Sequence, residues 1–340
     1  MGERSPLLTL VSWAWIAFVI EVDNAVESLS AGNVGRVFRI SLPMWANGLR
    51  LITGDGIGVE ELTRQAGARC NVPGLERWCW ITVGESNGGR RVGYGSKRGI
   101  RADTVLRPTR AGVYARELWP EAISEVEGRW ASRFGAETVA SLRSALAPFD
   151  GDLPWAPPEV HAPDGFRTHA TSTASAEGDV PLVVLLGRAL AGLTLEHERD
   201  AMVSAPLGAN VLRVAGQLAD LPLRAGISKE AVAMAANYLV RHDLAEQHPD
   251  RTLALTDAGR AALDDYTTRA AFRDDDALRS ALARLLEQGD ALSAGFLPPT
   301  GCWRGERPYL AQTERLIADP TSALPRHPMV LHRGGWPDGS

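Results

Sequence analysis

The six residues LRSALA occur twice in this chain, at residues 142–147 and again at residues 278–283. In the second occurrence they belong to DDALRSALARLLEQ, where Leu278, Leu282 and Leu285 fall on one stripe at helical spacing. Such a repeat arises either by chance or by the duplication of one structural unit. The second explanation requires further matches upstream of each copy, in the same order.

Two such matches are present. PMWANGLR at residues 43–50 is identical to PLGANVLR at residues 206–213 at five of eight positions. LRPTRAG at residues 106–112 matches LALTDAG at residues 253–259 as L-x-x-T-x-A-G. Three matches in one order indicate an internal duplication. The unequal spacing between the matches indicates that the two copies have diverged in role.

The duplication predicts the domain organisation. A length of 340 residues suggests two domains. We predict a first domain at residues 1–148, a linker at residues 149–179, a second domain at residues 180–289 and a C-terminal tail at residues 290–340. The linker is rich in Pro, Gly, Ser and Thr, which predicts an extended segment. The tail is rich in Pro and aromatic residues, and we expect it to pack on the body of the protein.

The second copy predicts the order helix, helix, helix, hairpin, helix, helix. Residues 204–218 carry apolar residues at helical spacing, and Ser228 is a suitable N-cap for the helix that follows it. AEQHPDRTLALT, at residues 245–256, predicts two short strands joined by a turn at residues 248–250. The fold class is therefore mainly α with small β-hairpins.

This order resembles that of the MarR family of transcriptional regulators. The resemblance rests on the helix after Ser228, the hairpin that closes on residues 253–259 and the two helices that follow. It implies tandem winged helix-turn-helix domains that bind double-stranded DNA, each with a recognition helix in the major groove and a hairpin wing in the adjacent minor groove.

The resemblance also assigns the candidate DNA-contacting residues. In the first copy, residues 58–67 and 71–83 take the helix-turn-helix positions, and residues 86–101 form a long wing with five basic residues and no acid. Arginine suits a narrow minor groove, and basic side chains bind phosphates in a salt-dependent way. The expected contacts are Arg69, Asn71, Arg77, Arg90, Arg91, Lys97, Arg98, Arg101, Lys229, Asn237, Arg241 and Arg251. The second copy has the weaker set, so either it touches DNA lightly or it has become structural.

MarR-like proteins are usually homodimers held by their terminal helices. Two copies in one chain could therefore pair internally as a pseudo-dimer, with the first helices and the LRSALA helices forming a joint core. Each copy could instead pair with a second chain, which would make the protein a homodimer.

The first copy is also rich in tryptophan. Tryptophans bury large areas and often line aromatic ligand pockets. The resemblance implies a small aromatic effector between the DNA-binding lobe and the dimer helices, and Trp13, Trp45 and Trp78 are candidate lining residues. The alternative is that these side chains simply belong to the core.

Composition and motifs bound the remaining function classes. The net charge is −5, so a DNA-binding surface would have to be local. The uncharged run at residues 7–20 is shorter than the ~20 residues that a membrane span needs.

Three cysteines without CxxC spacing favour a reducing, cytoplasmic setting. No GxSxG, HExxH, Walker or dinucleotide motif is present, so we predict no enzyme activity, cofactor or metal.

Two alternatives to a DNA-binding regulator stay open. Winged helices also serve as protein-interaction modules, and the acidic second half is compatible with that use. An enzyme could also use this scaffold, with a tryptophan-rich pocket and the tail as its active site. Only the DNA-binding hypothesis requires the basic wing.

Overall fold

The computed structural model is mainly helical with small antiparallel sheets, which confirms the predicted fold class at that level. It describes residues 6–34, 40–67, 70–84, 91–92, 100–149, 153, 155, 161–162, 165–166, 180–198, 201–225, 227, 229–271, 275–287 and 318.

The first half contains six α-helices and five short strands within its described residues. The helices are α1 (Leu7–Val34), α2 (Leu42–Leu49), α3 (Val59–Ala66), α4 (Val72–Arg77), α5 (Arg110–Phe134) and α6 (Ala136–Leu146). The strands are β1 (Ile57–Gly58), β2 (Ile81–Val83), β3 (Arg91–Val92), β4 (Ile100–Arg101) and β5 (Val105–Pro108). Strands β1, β5 and β2 form one antiparallel sheet, and β3 pairs with β4.

The second half repeats this order. Between the halves lies a short hairpin of β6 (His161–Ala162) and β7 (Gly165–Phe166). The helices are α7 (Leu182–Glu198), a π-helical turn (Ala205–Ala209) that continues into α8 (Asn210–Arg213), α9 (Leu221–Ala225), α10 (Lys229–Arg241), α11 (Asp257–Ala271) and α12 (Asp276–Glu287). The strands β8 (Ala245–Gln247) and β9 (Leu253–Leu255) pair directly.

The T-x-A-G motif fastens the start of α5 to the end of α4. The Thr109 hydroxyl donates to the Cys79 carbonyl at 2.7 Å and accepts the Gly112 N–H at 3.0 Å. The Thr109 N–H donates to the Trp80 carbonyl at 3.0 Å. Gly112 sits so close to this segment that a Cβ atom would lie 1.9 Å from the Trp80 carbonyl oxygen. The motif therefore requires glycine at its last position.

The second copy of the motif makes the same contacts. The Thr256 hydroxyl donates to the Asp243 carbonyl at 2.6 Å and accepts the Gly259 N–H at 3.0 Å. A Cβ atom at Gly259 would lie 1.8 Å from the Leu244 carbonyl oxygen. Asp243 and Cys79, the hydroxyl acceptors in the two halves, both have positive φ, at 57° and 59°. The sequence match thus corresponds to one local structure built twice.

A second repeated contact joins the first two helices of each half. The Asp23 carboxylate on α1 accepts the Leu42 N–H at the start of α2, at 2.9 Å. In the second half, the Glu198 carboxylate on α7 accepts the Ala205 N–H at the start of the π-helical turn, at 3.2 Å. A carboxylate is favourable there because the first N–H groups of a helix lack intrahelical acceptors.

The two halves share one core. Helix α1 packs against α5 of its own half and against α7 and α12 of the other. The two LRSALA helices, α6 and α12, pack against each other, and Leu142 and Leu278 are both fully buried. The stripe Leu278, Leu282 and Leu285 that the sequence predicted is buried on α12.

The long apolar helix α1 meets the length and composition of a membrane span, with a mean hydropathy of 1.4 in its most apolar window. Within the protein, however, 82% of that window is buried. Side chains such as Trp15 and Phe18 are fully covered, and Phe18 lies edge-on to Trp130 at 4.8 Å between ring centroids. This burial is the pattern of a core helix.

One expectation about helix extent was wrong. The helix predicted over residues 204–218 ends at Arg213, because the chain then pairs with the hairpin. Gln217 forms a bridge with Thr252, and the Gly216 carbonyl accepts the Leu253 N–H at 2.8 Å. Within the segment predicted as a linker, the described residues include the β6–β7 hairpin and Trp155, which packs against the core. The predicted tail lies outside the described residues apart from Ala318.

We expect Gly112→Ala and Gly259→Ala each to lower the free energy of unfolding by about 2 kcal/mol or more, because the new methyl group overlaps a backbone carbonyl. Gly128→Ala is the matched control, since a Cβ atom at this position on α5 would have nothing within 4 Å. That change should stabilise by up to about 1 kcal/mol through helix propensity. Urea unfolding measures all three, and equal stability of Gly112→Ala and Gly128→Ala would contradict the close approach.

Candidate functional site

The segment that the sequence predicted as the recognition helix of the first half is short. Helix α4 spans only Val72–Arg77, and the chain turns at Cys79 before entering β2. Asn71 caps α4, because its side-chain oxygen accepts the Gly74 N–H at 2.9 Å. Asn71 therefore has a structural role as a helix cap in addition to its predicted contact with DNA. Arg77 is exposed at the end of the helix, and Arg69 lies outside the described residues.

The basic wing is described only at its base. Arg91 belongs to β3 and faces Arg101 of β4 in the register of the pair. Arg101 is half-buried, while the placement of the Arg91 side chain is not described. Arg90, Lys97 and Arg98 lie outside the described residues. The structure thus places a hairpin where the sequence predicted one.

The second half presents a longer helix at the equivalent position. Helix α10 has 13 residues, and Asn237 and Arg241 are exposed one turn apart on it. The Arg241 Nε donates to the Asn237 carbonyl at 3.2 Å. Arg251 is exposed on the β8–β9 turn with a φ of 66°, and Lys229 opens α10, its side chain not described. In the described residues, the second half therefore offers the more extended helical surface.

The three candidate ligand-binding tryptophans lie in three different environments. Trp13 is half-buried on α1, and its Nε1 donates to the Ala225 carbonyl of α9, in the other half, at 3.2 Å. Trp45 is buried behind α4, where a Cβ atom at Gly74 would lie 2.7 Å from its ring. Trp78 is 44% exposed after α4. Trp13 and Trp45 fit the core alternative, and the residues around Trp45 leave no room for a ligand.

A larger cleft lies elsewhere, between the two halves. It has a volume of about 500 Å³ and runs along α5 from Arg116 to Glu127. Trp119, Pro120 and Ile123 line it from α5, and Trp155 and Pro181 line it from the segment that leads into α7. Its volume falls within the range of small-molecule sites.

The cleft is positively charged. Three arginines and one carboxylate line it: Arg50, Arg116, Arg143 and Glu127. Glu127 is already engaged, since it accepts the Arg143 guanidinium at 2.7 Å and the Leu182 N–H at 2.6 Å. Arg143 also donates to the Val180 carbonyl at 2.7 Å. This ion pair thus caps the start of α7 and leaves the charge of Arg50 and Arg116 unbalanced among the described lining residues.

Two residues that line the cleft each have a buried N–H group without an acceptor among the described residues. The Nε of Arg50 and the Nε1 of Trp119 are both buried without a hydrogen bond. Burial lowers the pKa of the Arg50 guanidinium below its ordinary value, and the nearby charge of Arg188 lowers it further, while Cys70 raises it. Arginine nevertheless stays protonated in proteins. Buried donors of this kind ordinarily have a partner, and these two N–H groups are exceptions that are closed off from the space of the cleft as well as from solvent.

A second, smaller pocket lies beside α11, the fifth helix of the other half. It measures about 190 Å³ and is lined by Tyr266 and Ala270 of α11, by Leu7 of α1 and by His197 of α7. Relative to the T-x-A-G motif, Tyr266 stands where Trp119 stands in α5, and Ala270 stands where Ile123 stands. The two pockets therefore share equivalent positions on the fifth helix of their halves, but their other walls differ. Residues of α1 and α7 line the small pocket, whereas Arg50, α6 and the segment before α7 line the cleft.

Sequence reasoning missed the cleft residues. Arg50 and its counterpart Arg213 end the PMWANGLR and PLGANVLR match, and this paired arginine was the available signal. Trp155 and Pro181 gave none, because only the folding of the linker against α5 brings them to Trp119. Comparison of the chain with protein-family models, with curated proteins and with solved structures finds no match.

The burial of His197 in the small pocket predicts that the stability of the protein depends on pH. Burial lowers the pKa of His197 from 6.5, opposed by Glu198 and Asp265 and reinforced by Arg269. The folded state therefore favours neutral His197. The contribution of this residue to the free energy of unfolding is present above pH 6.5 and is lost as the pH falls below that value. The ring also packs edge-on to Tyr266 at 5.0 Å.

We expect the free energy of unfolding to fall less between pH 7 and pH 5 in His197→Gln than in the wild type. The variant removes an imidazole that the unfolded state protonates at a higher pH than the folded state does. His242→Gln is the control, since His242 is exposed on the surface. Urea unfolding across this pH range measures the slope for each protein. Identical slopes for the wild type and His197→Gln would show that His197 does not contribute.

Proposed function

We propose that this protein is a DNA-binding transcriptional regulator built from two winged helix-turn-helix units that pair within one chain. The observation that carries the proposal is the recurrence of the same order in both halves: two helices, a helix-turn-helix pair, a hairpin and two closing helices. In the first half, β1 lies between α2 and α3 and pairs with β5, the last strand of the hairpin. In the second half, Gln217 lies between α8 and α9 and forms a bridge with Thr252, the residue before β9.

The placement of the halves supports this proposal. Equivalent helices meet across the joint core, α6 with α12 and α1 with α7, as the terminal helices of a symmetric dimer do. A protein with two reading units related in this way suits a DNA site with two half-sites. We propose that the internal pair replaces a homodimer.

The exposed polar residues of α10 provide the most direct route to base readout. Asn237 can pair with an adenine edge in the major groove, and Arg241 can reach a phosphate or a guanine. In the first half, Arg77 and the basic residues around β3 and β4 would contribute phosphate and minor-groove contacts. The two halves would therefore read an asymmetric site.

An interaction module without DNA binding is the second candidate, and two exposed apolar residues favour it. Trp78 follows α4 and is 44% exposed, and Val240 lies near the end of α10 and is 37% exposed. Both stand at the positions where the DNA-reading surface is proposed. Binding to DNA therefore discriminates between the two functions.

Purified protein should bind a DNA fragment flanking its own gene in the presence of excess competitor DNA, with an affinity that falls as salt rises. Arg241→Ala should weaken binding about tenfold and, if the contact is to a phosphate, reduce the salt slope by about one. Asn237→Ala should relax sequence preference at one position, with a cost of about 1–3 kcal/mol. Electrophoretic mobility shifts at several salt concentrations measure these effects.

Arg129→Ala is the matched control for the arginine variant, because Arg129 is exposed on α5 and pairs with Glu125 at 3.6 Å, away from the helix-turn-helix units. Its DNA affinity should equal that of the wild type. Absence of binding beyond competitor at low salt, with the protein folded by circular dichroism, would favour the interaction module.

The internal pairing predicts the oligomeric state. The chain should elute as a monomer of 36.6 kDa in size-exclusion chromatography with light scattering. The reason is that α1 and α7, the first helices of the two halves, already pack against each other within one chain. A mass of twice that value, stable on dilution, would show that the halves of two chains pair instead.

A further inference from the structure

We propose that the first half carries a site for single-stranded nucleic acid, in which the exposed Trp78 ring stacks on an unpaired base and three nearby arginines contact the phosphates beside it. The inference goes beyond the proposed function, because double-stranded DNA presents its bases already stacked on one another. Binding of a single strand can therefore be measured without a duplex.

The exposure of Trp78 provides the stacking surface. Among the side chains that the structure describes, it is the only exposed phenylalanine, tyrosine or tryptophan, with 44% of its surface accessible. Tryptophan ordinarily buries a large part of its surface in the core of a protein. The ring of Trp78 is instead available to a flat partner, and every base has a face that can stack on it.

The backbone under this ring is held in one conformation. The Trp78 N–H donates to the Gly74 carbonyl and the Trp80 N–H donates to the Leu75 carbonyl, both at 2.9 Å. Cys79, between the two tryptophans, has a left-handed backbone with a φ of 59°. A bond of this span across a left-handed residue belongs to the Schellman motif that ends many helices. A ring on a fixed backbone loses less conformational entropy when it binds a ligand.

Three arginines lie on the segments that meet at this turn. Arg77 directly precedes Trp78. Arg110 begins α5, after the threonine whose hydroxyl donates to the Cys79 carbonyl at 2.7 Å. Arg107 lies on β5, in the part of that strand that pairs with β2 just after the turn. All three side chains are exposed, and none is paired with another described residue.

Ring and charges together define the ligand. One carboxylate, Glu76, is exposed at the same helix end and offsets one of the three positive charges. An apolar protein surface would have to cover the remaining guanidinium groups without counter-charges, which is costly. A single strand supplies a flat base and a phosphate in every nucleotide, and arginine binds phosphate oxygens well.

The equivalent turn of the second half has the same backbone and a different ring. Asp243 has a φ of 57° there, and the backbone bond across it is again 2.9 Å long. His242 stands at the position of Trp78. Its ring packs against Tyr238 of the same helix, with 4.2 Å between the ring centroids. The second half therefore offers a smaller ring that already has a partner.

The charges at this turn differ as well. In the T-x-A-G match, Asp257 stands at the position of Arg110 and forms an ion pair within α11. Ala254 stands at the position of Arg107 in the strand register. Arg77 alone has a basic counterpart, at the end of α10. The combination of an exposed ring and unpaired arginines therefore belongs to the first half.

Fluorescence anisotropy of the full chain with a labelled oligothymidylate of about ten nucleotides tests the site. The ligand control is a strand of the same length made of abasic nucleotides, which keeps the phosphates and lacks the bases. We expect the abasic strand to bind at least about fivefold more weakly. Trp78→Ala should weaken thymidylate binding about five- to hundredfold and bind both strands equally, whereas Trp78→Phe should stay within about threefold of the wild type.

The arginines are tested by salt titration. Arg107→Ala and Arg110→Ala should each weaken binding several-fold and reduce the salt slope by about 0.7, the value for one phosphate contact on a single strand. His242→Ala, at the equivalent turn, and Arg129→Ala, on the far part of α5, are the matched controls and should leave affinity unchanged. Circular dichroism confirms that each variant folds.

Four results would each overturn the site. They are equal binding of the thymidylate and abasic strands by the wild type, unchanged affinity in Trp78→Ala, an equal loss in His242→Ala, and no binding of either strand at low salt. The last result would leave the exposed ring to a protein partner. An oligouridylate of the same length shows whether RNA or DNA is preferred, and tight binding of either one supports the site.

A duplex of the same length, measured in parallel, separates this site from the proposed function. Trp78→Ala should lower the affinity for the single strand and leave that for the duplex unchanged. An equal or larger loss for the duplex would overturn the site. Single-strand binding by a protein that binds no duplex would overturn the proposed function and leave the site standing.

Discussion

The structure depends on the burial of α1 by both halves of the chain. This helix has apolar residues on nearly every side, so no single partner surface can cover it. Its own half supplies α5, and the other half supplies α7 and α12. The Trp13 side chain extends the connection by a hydrogen bond to the Ala225 carbonyl at 3.2 Å. Neither half closes its core alone, and this shared burial fixes how the two units face each other.

The features that repeat between the halves are those that hold the backbone. Thr109 and Thr256 fasten the start of the helix after each hairpin to the turn before that hairpin, and Gly112 and Gly259 permit a close approach that any side chain would prevent. Features exposed to solvent have diverged. Helix α4 has 6 residues where α10 has 13, and the hairpin of the first half carries an additional pair of strands.

This division explains what could be predicted from the sequence. The LRSALA and T-x-A-G matches indicated repeated local structures, because a close backbone approach or a buried helix stripe constrains residue types directly. The end of the second helix was misjudged, since Gln217 leaves the helical pattern to pair with Thr252, which is distant in sequence. The cleft was missed for a related reason: Arg50, Trp119 and Trp155 come from three separate segments.

Fusion of two units permits an asymmetry that a homodimer cannot have. In a symmetric dimer every substitution occurs twice, so two equivalent pockets must remain alike. In one chain, the positions of Trp119 and Tyr266 can change independently, and the linker can add Trp155 to only one side. The first half then carries the cationic cleft along α5, while the second half carries the longer α10 and a smaller pocket beside α11. Under the proposed function, the two units would therefore contact the two half-sites of a DNA site through different surfaces.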